Sequence, residues 1–412
     1  MRFASIICLL LGLAAVCSPS HAQEWTRFRG PNGTGQSDAA NIPTTWTQDE
    51  VNWKLDLPGV GQSSPVLWGN KLFVTSADAS TGTQSIFCVD ATNGKLLWQR
   101  DFKFKPHRVH TQNTLASSTP CCDANRVYMA WGGPDEFVLL ALDHEGKDQW
   151  RIDLGKYISQ HGFGTSPIVH DDTVFITNEQ DGPSFVIAVD AGTGKERWKV
   201  PRKNVDQQNA SYATPMIYDR NGQTELIINS WAHGVSSLDP GTGRTNWEIP
   251  VFERRPVGSP ILANGLILGN CGEGGGSNSV IAVRPPDAQS AKPEVAFEIG
   301  KTSAPYVPTL IEHDKHIFLW GDRGIVTCID STDGKVVWRE RVGGNYSSSP
   351  IRIGERIFNV SSDGEVTVLA ASSEFKVLGR TALNDATRST LAVANGTLYL
   401  RTHGTLLAVG GK

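Results

Sequence analysis

Along most of the chain, short apolar runs alternate with Gly, Asn, Asp and Pro, and no long stretch repeats its apolar positions at helical spacing. Such a pattern predicts many short strands joined by tight turns. In PVLWGNKLFVTSAD, from Pro65 to Asp78, two runs flank Gly69-Asn70. In SIFCVDATNGKLLWQRD, from Ser85 to Asp101, two more flank Asn93-Gly94. Asn-Gly is a strong hairpin signal because both residues tolerate positive φ. Each such unit is therefore expected to hold four antiparallel strands.

The unit repeats. Its closing phrase is CVDATNGKLLW (Cys88 to Trp98), AVDAGTGKERW (Ala188 to Trp198), SLDPGTGRTNW (Ser237 to Trp247) and CIDSTDGKVVW (Cys328 to Trp338), with a shorter copy, ALDHEGKDQW, from Ala141 to Trp150. The copies recur at roughly fifty-residue intervals, the signature of a repeat architecture. The units open on Ser64-Pro65, Thr119-Pro120, Ser166-Pro167, Thr214-Pro215, Ser259-Pro260, Val307-Pro308 and Ser349-Pro350; the fifth and seventh lack the closing Trp. Four-stranded units repeated around an axis make a β-propeller. The tail STLAVANGTLYLRTHGTLLAVG (Ser389 to Gly410) offers three strands and no fourth, whereas VNWKLDL (Val51 to Leu57) is a lone fourth strand with Trp53 at the repeat's Trp position. The expectation is an all-β, eight-bladed propeller over residues 51–412, its last blade closed by N- and C-terminal strands so that the ring has no open edge.

Ahead of it, residues 1–22 read as a signal peptide. Arg2 precedes an apolar run from Ala4 to Val16, and Ser20-His21-Ala22 is a small-x-small cleavage pattern. Val16 stands where a lipobox needs a small residue, so Cys17 is not expected to be lipidated. The mature chain then begins near Gln23 with an extended segment, 23–50, and contains no transmembrane run. Export to the periplasm or the cell exterior follows. The formal net charge of −4, with both signs dispersed, excludes a nucleic-acid footprint. Cys88, Cys121, Cys122, Cys271 and Cys328, scattered and odd in number, exclude a disulfide-stapled fold.

The closing phrase, A-x-D-x-x-T-G-K-x-x-W, resembles the tryptophan-docking motif of quinoprotein (PQQ) propellers over about Val51 to Gly410. The resemblance implies that Trp53, Trp98, Trp150, Trp198, Trp247 and Trp338 are structural, each stacking on a glycine turn of a neighbouring blade. It also implies one of two functions. One branch holds dehydrogenases with PQQ and calcium on the axis; the other holds non-catalytic eight-bladed propellers similar to the outer-membrane protein assembly factor. Phe28-Arg29-Gly30-Pro31 resembles the opening segment of exported PQQ-like repeat proteins, and similar propellers serve as sensor domains of exported kinases.

Cys121-Cys122-Asp123 resembles the vicinal disulfide and following Asp beside the quinone of quinoprotein alcohol dehydrogenases, which makes the two cysteines candidate cofactor neighbours. Their place directly after Pro120 equally suits two buried strand thiols. His107 and His110, three apart, have no nearby third ligand and read as a solvated loop. Cys271 in GNCGEGGGSN reads as part of a hairpin loop, and Asp219 to Gly222 as a hairpin turn. No haem, hydrolase or kinase motif occurs. The loops preceding each opening, by the resemblance, face one mouth of the central channel. They carry Gln62, Asn113, His161, Asn209, Tyr212, Arg255, Tyr306, Asn345 and Arg388, a ring suited to an anionic ligand or a partner's extended peptide. The leading expectation is a monomeric, exported, non-catalytic scaffold with a protein or cell-envelope partner and no cofactor or metal. The alternatives are a PQQ- and calcium-dependent oxidoreductase, or a ligand-sensing propeller.

Overall fold

A computed structural model describes residues 24–204, 210–220, 222–274, 276–288 and 290–411. The expected signal peptide lies outside these residues. Eight antiparallel sheets surround one axis. The first blade comprises Val66–Trp68, Lys71–Asp78, Thr83–Asp90 and Leu96–Lys103, counted outward from the axis. Blades two to seven span 121–153, 168–202, 216–249, 261–299, 311–341 and 351–382. The eighth joins Ala392–Ala394, Thr397–Arg401 and Thr405–Gly410 to Val51–Asp56, which pairs antiparallel with Thr405–Gly410. Among the described residues, no helix is long and apolar enough to cross a membrane.

Burial follows position in the blade. The two middle strands are covered on both faces by neighbouring blades, so Leu72 to Ala77 and Gln84 to Val89 are buried without interruption. The outermost strand alternates half-buried with exposed residues from Trp98 to Lys103. Continuous apolar runs and alternating runs in one repeat thus report the same sheet at different radii.

The closing phrase has a physical reason at each position. Asp90 accepts hydrogen bonds from Thr92 N (2.9 Å), Thr92 Oγ1 (2.6 Å) and Asn93 Nδ2 (2.9 Å), which shapes the turn. Gly94 adopts φ 74°, and a Cβ there would stand 2.6 Å from the Trp53 ring. Trp53 lies flat on that glycine and donates Nε1–H to Ala91 O at 2.9 Å. Trp98 on Gly146, Trp150 on Gly194 and Trp198 on Gly243 repeat the contact. Trp338 donates to Ser372 O at 3.1 Å.

Three positions depart from the repeat. In the fifth blade Phe297 occupies the Trp position and packs on Gly334. Trp247 packs between the fourth and fifth blades, but the sequence at the fifth blade's equivalent turn, 285–293, has no glycine, and the indole donates to Glu225 Oε2 of its own blade at 3.0 Å. In the seventh blade the Trp position is Gly379, where a Cβ would meet Thr44 O at 2.2 Å. Buried Trp46 and its neighbours from the N-terminal segment fill the missing indole's place, with Trp46 N donating to Thr381 Oγ1 at 3.2 Å.

The earlier part of that segment, residues 24–37, lies inside the ring. The innermost strands have no sheet partner toward the axis, and residues 24–37 use their free edges. Trp25 bridges to Leu67, Cys122 N donates to Thr26 O (2.8 Å), Asn32 exchanges bonds with Ile217 (2.6 and 2.9 Å), and Gln36–Ser37 pairs parallel with Arg352 and Ile353. Arg29 is fully buried, and its Nη2 donates to Leu310 O (2.9 Å) and Pro350 O (3.2 Å); Arg27 reaches Pro215 O. The FRGP segment therefore threads the channel and ties five blades together.

Candidate ligand-binding site

Each innermost strand is preceded by a hydroxyl residue. The backbone N–H of one donates to the side-chain oxygen of the next blade's: Ser64 to Thr119 (2.9 Å), Thr119 to Ser166 (3.0 Å), Thr214 to Ser259 (3.1 Å), Ser259 to Thr309 (3.0 Å), Thr309 to Ser349 (3.0 Å) and Ser349 to Thr390 (2.9 Å). This ring, linked at six of its eight joints among the described residues, explains why a Ser or Thr stands at each opening. It also corrects the sixth one. The pair equivalent to Ser349-Pro350 is Thr309-Leu310, two residues beyond Val307-Pro308, because Thr309 makes the ring's hydrogen bonds and the strand starts at Ile311.

On the loop side of the ring lies a cavity of about 610 Å³, with Phe28 of the threading segment among its lining residues. Gln62, Asn113, His161, Tyr212, Arg255, Tyr306 and Arg388 all line it. Asn345 does not; it is exposed, and its carbonyl accepts from Ser362 N at 2.6 Å. Asn209 lies outside the described residues.

Asn113 Nδ2 donates to His161 O (2.8 Å) and Phe163 O (3.2 Å), pinning the loop of the neighbouring blade. Arg255, 6% exposed, is the most constrained cation: Nε donates to Ala210 O at 3.0 Å and Nη1 to His161 Nδ1 at 3.0 Å, with the guanidinium 5.7 Å from the Tyr212 ring and 5.9 Å from that of Trp231. Since an arginine only donates, His161 accepts at Nδ1 and carries its proton on Nε2. Burial first, then the charges of Arg255 and His110, pull the His161 imidazole down to about 4. The folded chain then holds fewer protons than the unfolded one between pH 6.5 and about 4, so this group takes stability away as pH falls through that window. An NMR titration of the imidazoles is expected to show His161 protonating near pH 4, and a midpoint above 6 would contradict the Arg255 contact. Burial also pushes the Tyr212 hydroxyl up to about 12, and that group lies 2.5 Å from Ser159 Oγ.

Several lining residues escaped the sequence reading. His110, read as a solvated loop residue, is exposed but stacks on His161 with ring centroids 4.8 Å apart. Arg254 pairs with Glu273 at 3.2 Å, and Trp231 and Glu273 come from connections between the second and third strands of their blades. Strands alternate direction, so these connections emerge at the same mouth as the loops preceding each opening. Counting both loops per blade would have found them. Cys271 is a buried residue of the strand Leu266–Gly272, not a loop residue; the loop begins with Glu273.

Cys121 and Cys122 form the second blade's innermost strand and do not line the cavity. Successive strand residues point to opposite faces. Cys121 accordingly packs between the second and third blades and Cys122 between the first and second, both as free thiols that burial pushes well above the usual range.

The family model described as outer membrane protein assembly factor BamB matches residues 82–284 and 296–410. Quinohemoprotein alcohol dehydrogenase ADH IIB of Pseudomonas putida is 30% identical over 346 residues, 75% of this chain and 45% of the relative. A polyvinylalcohol dehydrogenase of a Pseudomonas species is 20% identical over 79% of this chain and 50% of its own length. The chain spans half or less of these curated relatives. Among solved structures, BamB of Moraxella catarrhalis superposes with a TM-score of 0.61 at 16% identity, covering 87% of this chain and 96% of that one. Quinohemoprotein alcohol dehydrogenase of Comamonas testosteroni gives 0.67 at 13% identity, covering 94% and 80%. With eight blades closed by both termini and a family model matched over most of its length, the chain belongs to the PQQ-like propeller family described as outer membrane protein assembly factor BamB.

Proposed function

We propose that this chain is an exported, non-catalytic propeller that acts as a protein-binding or cell-envelope assembly scaffold and receives its partner at the cavity mouth. The donor set of the cavity carries this reading. Its described lining offers three guanidinia, Arg254, Arg255 and Arg388, against one carboxylate, Glu273, which Arg254 already engages. Calcium takes six to eight oxygen ligands, carboxylates commonly among them. Among the described residues no group of three or more His, Cys, Asp or Glu stands together to hold a metal. The residues therefore do not fit a calcium–quinone pair, and the cysteines offered for it face the interblade cores. Likeness to BamB over nearly that protein's whole length supports the scaffold reading further.

A quinoprotein oxidoreductase is the second reading, favoured by the relatives named alcohol dehydrogenases and by a cationic cavity able to attract an acidic quinone. Fold likeness alone decides neither. Titration of PQQ into the purified mature protein, with and without calcium, followed by dye-linked alcohol oxidation, separates the two. No calcium-dependent binding and no turnover are expected. Turnover that requires both PQQ and calcium would replace the scaffold with the oxidoreductase.

A further inference from the structure

Arg255 and Arg388 face the cavity without a carboxylate partner among the described residues, and Arg388 Nε finds no hydrogen-bond acceptor there. Guanidinia in a concave, partly desolvated site favour an anion that accepts their unused N–H groups. The remaining walls are of two kinds. Trp231 and Tyr212 bracket Arg255 with aromatic surface, while Gln62, Gln112 and Gln160 bring side-chain amides to the mouth. Aromatic faces, amides and an unpaired cation together suit a ligand that is polyhydroxylated on its edges, weakly apolar on its faces and negatively charged at one end.

An extended peptide fits less well. Peptides bind sheets by adding a strand to a free edge, but the threading segment occupies inner edges of the channel, and the ring of hydroxyls consumes backbone N–H groups at its waist. What remains for recognition is side chains. The segment carrying Phe28 crosses the channel, so the cavity takes the end of a molecule and does not let a chain pass through. Its volume of about 610 Å³ matches a ligand of one or two sugar rings.

We infer that the cavity binds the acidic end of a saccharide, a sugar carboxylate drawn in by the charges of Arg255 and Arg388, with its ring against Trp231. The inference rests on the binding reading above and gives the envelope partner a chemical class. Isothermal titration of the purified mature chain with a galacturonic acid dimer tests it, beside lactose, triglutamate and inorganic phosphate as neutral, peptide and free-anion probes. The dimer is expected to bind with Kd in the range of roughly 10–100 μM, and the other three at least about tenfold more weakly. Arg388→Gln, at a half-buried position with no structural hydrogen bond through Nε, is expected to keep the melting temperature and weaken the dimer about tenfold or more. Arg255→Gln weakens it further, and Trp231→Ala provides a third variant should Arg255→Gln fail to fold. Absence of heat with the dimer, equal affinity for triglutamate or phosphate, or undiminished binding by Arg388→Gln would each overturn the inference. Failure here without quinone turnover removes the saccharide and leaves the scaffold; quinone turnover removes the reading beneath both.

Discussion

A chain ending at His403 is expected not to fold. The truncation removes Thr405–Gly410, which pairs with Thr397–Arg401 on one side and with Val51–Asp56 on the other, so the eighth blade loses both its third strand and the anchor of its fourth. Leu406, Leu407 and Val409 are buried there; at about 1.5–3 kcal/mol per buried side chain they account for roughly 5–9 kcal/mol. That compares with a total of about 5–15 kcal/mol for a typical folded domain. Worse, the loss opens the ring and exposes unpaired edges of neighbouring strands. Thermal unfolding of the truncated chain, followed by circular dichroism beside the full mature chain, is expected to show no cooperative transition, with most of the product insoluble. A soluble product melting cooperatively within a few degrees of the full chain would mean that the termini do not close the propeller.

This prediction was available from the sequence because a repeat carries its own redundancy. Five copies of a phrase ending in Trp, and a lone Trp53 strand facing a three-stranded tail, leave one arrangement in which each blade is complete. The mouth came from the resemblance: in propellers of this class the loops before each opening face one end of the channel, and seven of the residues read from them line the cavity. The misses have physical causes too. Val307-Pro308 matched the spacing of the openings, yet the ring of hydroxyls selects Thr309, and hydrogen bonds between blades 40 and 50 residues apart leave no local pattern. Gly379 gave no sign that a different part of the chain, Thr44 to Trp46, would supply the bulk its blade lacks. Cys121 and Cys122 drew notice as a pair, whereas strand geometry divides them between two interblade cores.

The segment least legible in sequence has the second large effect. Residues 23–50 read only as an extended lead-in, because without apolar periodicity nothing in them says where they run. The structure places Arg29 fully buried in the channel with no carboxylate beside it among the described residues, and burial pulls its guanidinium down to about 9, still charged at neutral pH. The residue links two blades because its Nη2 donates to both Leu310 O and Pro350 O, while Gly35 makes room for it: a Cβ there would stand 2.4 Å from Nη2. Removing the side chain leaves both carbonyls without a donor in a space water reaches poorly, and opens a void between blades. Arg29→Ala is therefore expected to lower stability by about 3 kcal/mol in urea unfolding, the scale of losing charge-assisted hydrogen bonds to buried acceptors. Arg29→Lys is expected to recover less than half of that, since an ammonium is more strongly hydrated than a guanidinium and costs more to bury. A loss below about 0.5 kcal/mol for Arg29→Ala, the range of ordinary surface substitutions, would mean that the segment rests in the channel without bracing it.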